Sequence, residues 1–252
     1  MNQATAIRFN PIVDWATDRT MRLIAILLTG RRLKTVVAGG LEHVPYQGPA
    51  LLVARHYHHL FDGLALFAAL KRRFHIVVTL DWAGNRATKL LMYSLNRLAR
   101  WPMVLRAEAL EQAQPPRGQF TPLDIRHYQA TALRDAVTLL DDHRLLVIFP
   151  EGYPNIDPGY TPKHQPDEFL PFKPGFIHIA KAAERRCGIK IPMIPVGIHY
   201  RPGPPWVAVI RFGAPFYVEA SQNKQTLIAN IEHCVKELSK PLLKPDSACA
   251  AS

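Results

Sequence analysis

Three histidines and an aspartate fall within seven positions of one another, in the run Arg55-His56-Tyr57-His58-His59-Leu60-Phe61-Asp62-Gly63. The run follows directly on Ala50-Leu51-Leu52-Val53-Ala54, an apolar stretch that reads as a buried strand, and precedes residues 64–70, which read as a helix. Two chemistries are open at such a strand-to-helix junction. One imidazole can act as a general base, its ring oriented by Asp62. Alternatively, His56, His58, His59 and Asp62 can ligate a metal. A loop of locally hydrogen-bonded imidazoles is the bland alternative, and three histidines beside one aspartate make it the weakest of the three.

Other segments carry weaker signals. Phe149-Pro150-Glu151-Gly152 closes the apolar run 145–149, and a carboxylate with a glycine at the mouth of a sheet suits a hydroxylated or phosphorylated substrate. The same tetrapeptide also makes an ordinary turn. Arg106 ends a short strand over residues 103–105 and is either a surface arginine or a phosphate clamp. Ile194-Pro195-Val196-Gly197 places a proline inside an apolar strand, which predicts a bulge or a sheet edge.

The elements that must position these residues alternate. Strands are expected over 34–38, 50–54, 76–80, 103–105, 145–149, 191–199 and 207–212. Helices are expected over 14–34, 64–70, 87–100, 129–142, 174–185 and 224–239, with Leu90, Leu91, Leu95 and Leu98 at core spacing in the third. Residues 107–122 read as a loop, and the Pro- and Gly-rich excursion 153–168 is long enough to be functional. The pattern predicts an α/β fold: a single-domain αβ sandwich with a mostly parallel central sheet and an N-terminal amphipathic helical segment. Site residues then belong on the loops leaving the strand carboxyl ends. The expected organisation is an N-terminal membrane-associating segment 1–34, a catalytic domain 35–240 and a tail 241–252.

Composition narrows the class. The chain has 252 residues, 48% hydrophobic and 20% charged, which excludes collagen-like, disordered and disulfide-scaffold proteins. Three cysteines are too few, and odd in number, for a disulfide framework, so a reducing compartment is expected. No run of about 18 apolar residues predicts a membrane span, and the N-terminus lacks a secretory pattern, so an intracellular protein is expected. The net charge of +11 is unevenly spread, with basic blocks flanking an acidic middle: residues 1–34 carry six Lys/Arg against two acids, 71–106 eight against one and 171–252 eleven against five, while 107–170 carry five against ten. Such fields attract polyanions. In the first block Trp15, Leu23, Ile24, Leu27 and Leu28 crowd one side of a helix among Arg19, Arg22, Arg31, Arg32 and Lys34. That helix either packs on its own domain or lies in an anionic membrane interface.

Taken in order and spacing, these blocks resemble the glycerolipid acyltransferase family, whose best-known members acylate lysophosphatidic acid. Its first block, a histidine and an aspartate after an apolar strand, is similar to Arg55-His56 through Asp62; its second, an apolar stretch ending in arginine, to Met103 through Arg106. Phe149 to Gly152 matches its third block, Phe172-Lys173-Pro174-Gly175 its lysine-glycine segment, and Ile194-Pro195-Val196 its fourth. The similarity spans about residues 36–218. Three departures stand out. Five residues rather than four separate His56 from Asp62, Arg55 replaces an asparagine, and Tyr153-Pro154-Asn155 replaces a hydroxylated residue and arginine. His56 keeps the family position relative to the strand, whereas His58, four residues before Asp62, is the alternative base.

The resemblance implies acyl transfer from acyl-CoA or acyl carrier protein to a lysophospholipid hydroxyl, with 1-acylglycerol-3-phosphate giving phosphatidic acid. His56 and Asp62 would be catalytic; Arg106, Glu151, Gly152, Lys173 and Pro195 would bind substrate. Neither metal nor bound cofactor is implied, nucleic acid is not an expected partner, and the enzyme would sit peripherally or monotopically on the cytoplasmic face of an anionic membrane. The rival from another class is a metal-dependent hydrolase using the His56/His58/His59/Asp62 cluster. A non-enzymatic module docking on a polyanion ranks last, because it leaves that cluster unexplained.

Overall fold

A computed structural model of the chain describes residues 11–29, 31–81, 86–111, 121–157, 160–219 and 223–241. The helices are α1 (Pro11–Thr29), α2 (Phe61–Ala69), α3 (Arg86–Ala99), α4 (Ala107–Glu111), α5 (Pro122–Asp141), α6 (Gly175–Cys187) and α7 (Lys224–Leu238). The strands are β1 (Leu33–Gly39), β2 (Ala50–Ala54), β3 (Phe74–Ile76), β4 (Val78–Thr79), β5 (Met103–Val104), β6 (Leu145–Ile148), β7 (Met193–Arg201) and β8 (Trp206–Phe212). Six strands form one sheet in the order β1-β8-β7-β2-β6-β3, while β4 and β5 pair separately. Every pairing is parallel except β7 with β8.

The central strands are apolar throughout because both sheet faces are covered. Leu52, Ala54, Ile194 and Val196 turn to one face, where α2 and Ala25 of α1 pack. Leu51, Val53 and Met193 turn to the other, against α5, α6 and α7. This is the expected αβ sandwich. The N-terminal helix is tied into it: Arg22 donates to the carbonyls of Phe67 and Leu70 at 3.0 and 2.8 Å and to those of Lys71 and Arg72 at 3.2 Å each. Phe67 lies in the last turn of α2, Leu70 is its C-cap, and Lys71 and Arg72 follow it, so Arg22 caps the helix end and the chain leaving it and is not one of the arginines free for headgroups.

Four expectations are corrected. The strand expected over 76–80 is two: β3 joins the main sheet, and the chain then diverges so that β4 pairs with β5. Helix α5 begins at Pro122, seven residues early, because Thr121 and Asp124 form a reciprocal capping box with Pro122 in the first turn; residues 107–111 are helical, and 112–120 lie outside the described residues. Leu90, Leu91, Leu95 and Leu98 are exposed and form no core. Pro195 lies in an interior strand: neighbouring β7 residues carry the ladder to β2, and the edge of Pro195 that lacks an N–H faces the chain where it leaves β8, with Gly213 donating to the Pro195 carbonyl at 2.9 Å. The expected tail lies, beyond Pro241, outside the described residues.

Candidate active site

Strand β2 delivers Arg55 and His56 at its carboxyl end, and the first turn of α2 returns Asp62 to meet them. Asp62 is fully buried, and its Oδ2 accepts from His56 Nδ1 at 2.8 Å, from the Tyr57 amide at 2.7 Å and from the His58 amide at 3.1 Å. Its Oδ1 accepts from the Tyr200 hydroxyl at 2.8 Å. Four donors satisfy both oxygens of this buried carboxyl group in place of solvent. The His56 ring stacks on Phe149, with centroids 4.4 Å apart. With Nδ1 committed to Asp62, the ring is held as the tautomer whose Nε2 is an acceptor, and among the described residues nothing hydrogen-bonds that nitrogen.

The other histidines are engaged elsewhere. His58 Nδ1 accepts from the amides of Leu60 and Phe61 at 3.2 and 3.3 Å. Burial pushes its pKa down to about 4, which keeps the ring neutral as that role requires. His59 Nδ1 faces the Ile156 carbonyl at 3.2 Å. The three imidazoles therefore do not converge, and among the described residues no group of three His, Cys, Asp or Glu side chains is arranged to hold a metal.

The Phe149–Gly152 turn forms the other wall, and its residues differ from expectation. Glu151 is fully buried, its Oε1 accepting from the His56 amide at 2.9 Å and its Oε2 from the Leu170 amide at 3.1 Å. Lys163 Nζ sits 2.5 Å from Oε2, both side chains being inaccessible, and donates to the His56 carbonyl at 2.9 Å and to Asn155 at 3.1 Å. Burial lowers the Lys163 pKa and Glu151 opposes that shift. Glu151 thus holds the backbone of His56 and has no free oxygen to offer a substrate. Gly152 turns the chain at φ 77°. Arg106 is nearly buried, its fork closed on Asp81 at 2.6 and 3.0 Å and its other arm on the Gly152 carbonyl at 2.9 Å. It braces the turn as an occupied clamp. Lys173 is half-exposed beside Gly152 and pairs with Glu108 at 3.3 Å. Pro195 is not brought here: it lies on the opposite sheet face, where its Cγ would stand 2.7 Å from a Cβ added to Gly213.

Three contributors escape sequence reading. Lys163 had a signal, being the only lysine or arginine in the excursion 153–168. Tyr200 had none beyond its place near a strand end. Arg55, where asparagine was expected, lies between the Tyr57 and Phe169 rings at 4.9 and 4.4 Å, burial lowering its pKa while Glu151 and Asp62 raise it. Two buried cations, Arg55 and Lys163, thus offset two buried carboxylates.

An imidazole oriented by a buried carboxylate, at the carboxyl ends of a mostly parallel sheet, is an arrangement suited to general-base chemistry. The chain belongs to the acyltransferase family, whose model matches residues 35–199. Its fold is similar to the crystal structure of the 1-acyl-sn-glycerophosphate (LPA) acyltransferase PlsC from Thermotoga maritima, with a TM-score of 0.54 and 16% identity over 89% of this chain and 77% of that one. No curated protein matches the chain. Among the described residues no helix is long and apolar enough to cross a membrane.

Proposed function

We propose that this acyltransferase moves a fatty acyl group from acyl-CoA or acyl carrier protein to the free hydroxyl of a lysophospholipid, converting 1-acylglycerol-3-phosphate to phosphatidic acid. The observation that carries the reading is the His56–Asp62 pair, with Nδ1 fixed by a fully buried carboxylate and Nε2 left to a substrate. Nε2 takes the proton of the acceptor hydroxyl as that oxygen attacks the thioester carbonyl; Asp62 supports the resulting imidazolium, which returns the proton to the departing thiolate. No covalent acyl-enzyme is needed. Lys173, half-exposed beside the Gly152 turn, supplies positive charge for the acceptor phosphate, and Arg106, committed to Asp81 and the Gly152 carbonyl, holds that turn in place. The acceptor of the Thermotoga protein supports the choice of 1-acylglycerol-3-phosphate.

A lipid acceptor favours an enzyme seated on the membrane. Helix α1 exposes Ile12, Val13, Trp15, Leu23, Ile26 and Leu27, with Arg19, Arg31, Arg32 and Lys34 also at the surface. In this reading the helix lies in the cytoplasmic leaflet without spanning it. The chemistry is tested by incubating purified protein with lysophosphatidic acid and a series of acyl thioesters while following free thiol. Thiol release that depends on both substrates, and fails in His56→Ala, is expected. Release independent of the acceptor would sink the transferase reading in favour of a thioesterase.

A further inference from the structure

Helix α3 is built inside out. Its sheltered side carries Met92, Tyr93, Asn96 and Ala99, whereas Leu90 is 67% exposed, Leu91 56%, Leu95 38% and Leu98 52%. At about 100° per residue the four leucines span an arc of about 140°. The two small residues within that arc, Ala87 and Ser94, are exposed as well. Helix α1 is inverted in the same sense: Met21, Arg22 and Ala25 turn inward, whereas Ile12, Val13, Trp15, Leu23, Ile26 and Leu27 are exposed. The two helices pack against each other, and Asp18, Met21 and Ala99 line one cavity of about 20 Å³ between them. Ten of the nineteen exposed large hydrophobic side chains among the described residues belong to this pair. Such clustering exceeds the scatter normal on a soluble surface and marks a contact face.

Charge indicates what covers that face. Residues 71–106 hold eight Lys/Arg and a single acid, Asp81, which is buried against Arg106. Lys71 and Arg97 are exposed on this side, as are Arg19 and Arg31 on the α1 side. The exposed Trp15 ring lies under the Arg19 guanidinium at 5.8 Å. An apolar face edged with cations and a tryptophan is complementary to an anionic lipid leaflet.

We propose that the leucine face of α3 is a second bilayer-contacting element, so that α1 and α3 dock as a pair on an anionic leaflet. This rests on the reading of α1 as a docking helix and extends it. One helix in the interface leaves the domain free to roll about the helix axis, whereas two fix its orientation. Each helix has one end near the site. The chain leaving α1 enters β1, where Leu33 pairs with Trp206, whose ring meets those of His58 and Phe61. Helix α3 begins five residues after Asp81, the partner of Arg106. Docking through both keeps the rim of the site at the leaflet.

Co-sedimentation with vesicles of phosphatidylglycerol and phosphatidylcholine tests this on the full chain, comparing wild type with Leu91→Ser/Leu95→Ser on α3 and Leu23→Ser/Leu27→Ser on α1. Withdrawing one leucine from lipid costs roughly tenfold in affinity or more, so each double variant is expected to lose about 100-fold, at an unchanged melting temperature. Loss in the α1 variant with wild-type binding in the α3 variant overturns the role of α3 and leaves the docking role of α1 standing. A wild-type protein that does not sediment with vesicles overturns both. A wild-type dimer that the α3 variant dissociates, with vesicle binding unchanged, assigns the face to a second copy of the chain and also overturns the proposal.

Discussion

Lys163→Met removes the buried ammonium that faces Glu151 and keeps most of the side-chain volume. Nothing else replaces its 2.5 Å contact with Oε2, although the amides of His56 and Leu170 still donate to the carboxylate and the Arg55 charge acts on it. Deleting one partner of a buried pair costs about 3–5 kcal/mol. The two remaining amides and Arg55 place this case at the lower end, about 3 kcal/mol. For a domain of this size that corresponds to a fall of about 6–12 °C in Tm, or to a lower urea midpoint at constant m. Glu151→Gln/Lys163→Met eliminates the stranded charge while keeping an acceptor for the His56 amide, and should recover all but about 1–2 kcal/mol. Catalysis should suffer separately, because Lys163 also donates to the His56 carbonyl. A base displaced by about 1 Å loses on the order of 10²-fold, so kcat should drop far more than KM changes. A Lys163→Met protein with an unchanged urea midpoint and full kcat would refute the claim that this ion pair holds His56.

Three further outcomes follow from the site and the core. His56→Ala should lose acyl transfer by about 10²–10⁴-fold, whereas His58→Ala should stay within about tenfold and lose about 1 kcal/mol in a urea titration, as expected of a deleted helix cap. Tyr200→Phe leaves Oδ1 of buried Asp62 without its hydroxyl donor, so it should cost about 1.5–3 kcal/mol and lower kcat at unchanged KM. His75 is buried, donates from Nδ1 to the Ala99 carbonyl, and burial pushes its pKa down to about 4. The native state therefore resists protonation more than the unfolded chain does, so the His75 contribution is intact above about pH 6.5 and is lost as pH falls toward 4. The loss is up to about 3 kcal/mol, and His75→Gln should flatten it in urea titrations across that range.

The sequence displays its architecture where burial is simple and hides it where a residue serves two masters. Strands β2 and β6 are legible because both of their faces are covered, leaving uninterrupted apolar runs. The His56–Asp62 block is legible because a strand end and a helix start bracket it. The leucines of α3 mislead because period reports a common face without saying what it faces: Leu90, Leu91, Leu95 and Leu98 share a side, and that side is exposed. Glu151 and Arg106 mislead differently. Each is charged and beside the site, yet each spends its charge on a partner from another segment, Lys163 or Asp81, and sequence order does not state that pairing.

The extra residue before Asp62 shows how the two candidate bases divide their work. Helix α2 starts at a poor sequence for capping: Leu60 occupies the N-cap and its side chain offers no acceptor. The first amides of the helix would remain unpaired without another group. His58 meets that need with its ring, accepting from Leu60 and Phe61, and this acceptor role requires a neutral, unprotonated Nδ1. The longer loop also lets the amides of Tyr57 and His58 close on Oδ2 of Asp62, so the carboxylate that orients His56 folds the loop around itself. His58 is thus consumed by the helix, and of the two candidate bases His56 is the one left with an acceptor nitrogen for a substrate proton. The longer loop thus adds a cap and a donor while His56 Nδ1 still meets Asp62 Oδ2 at 2.8 Å.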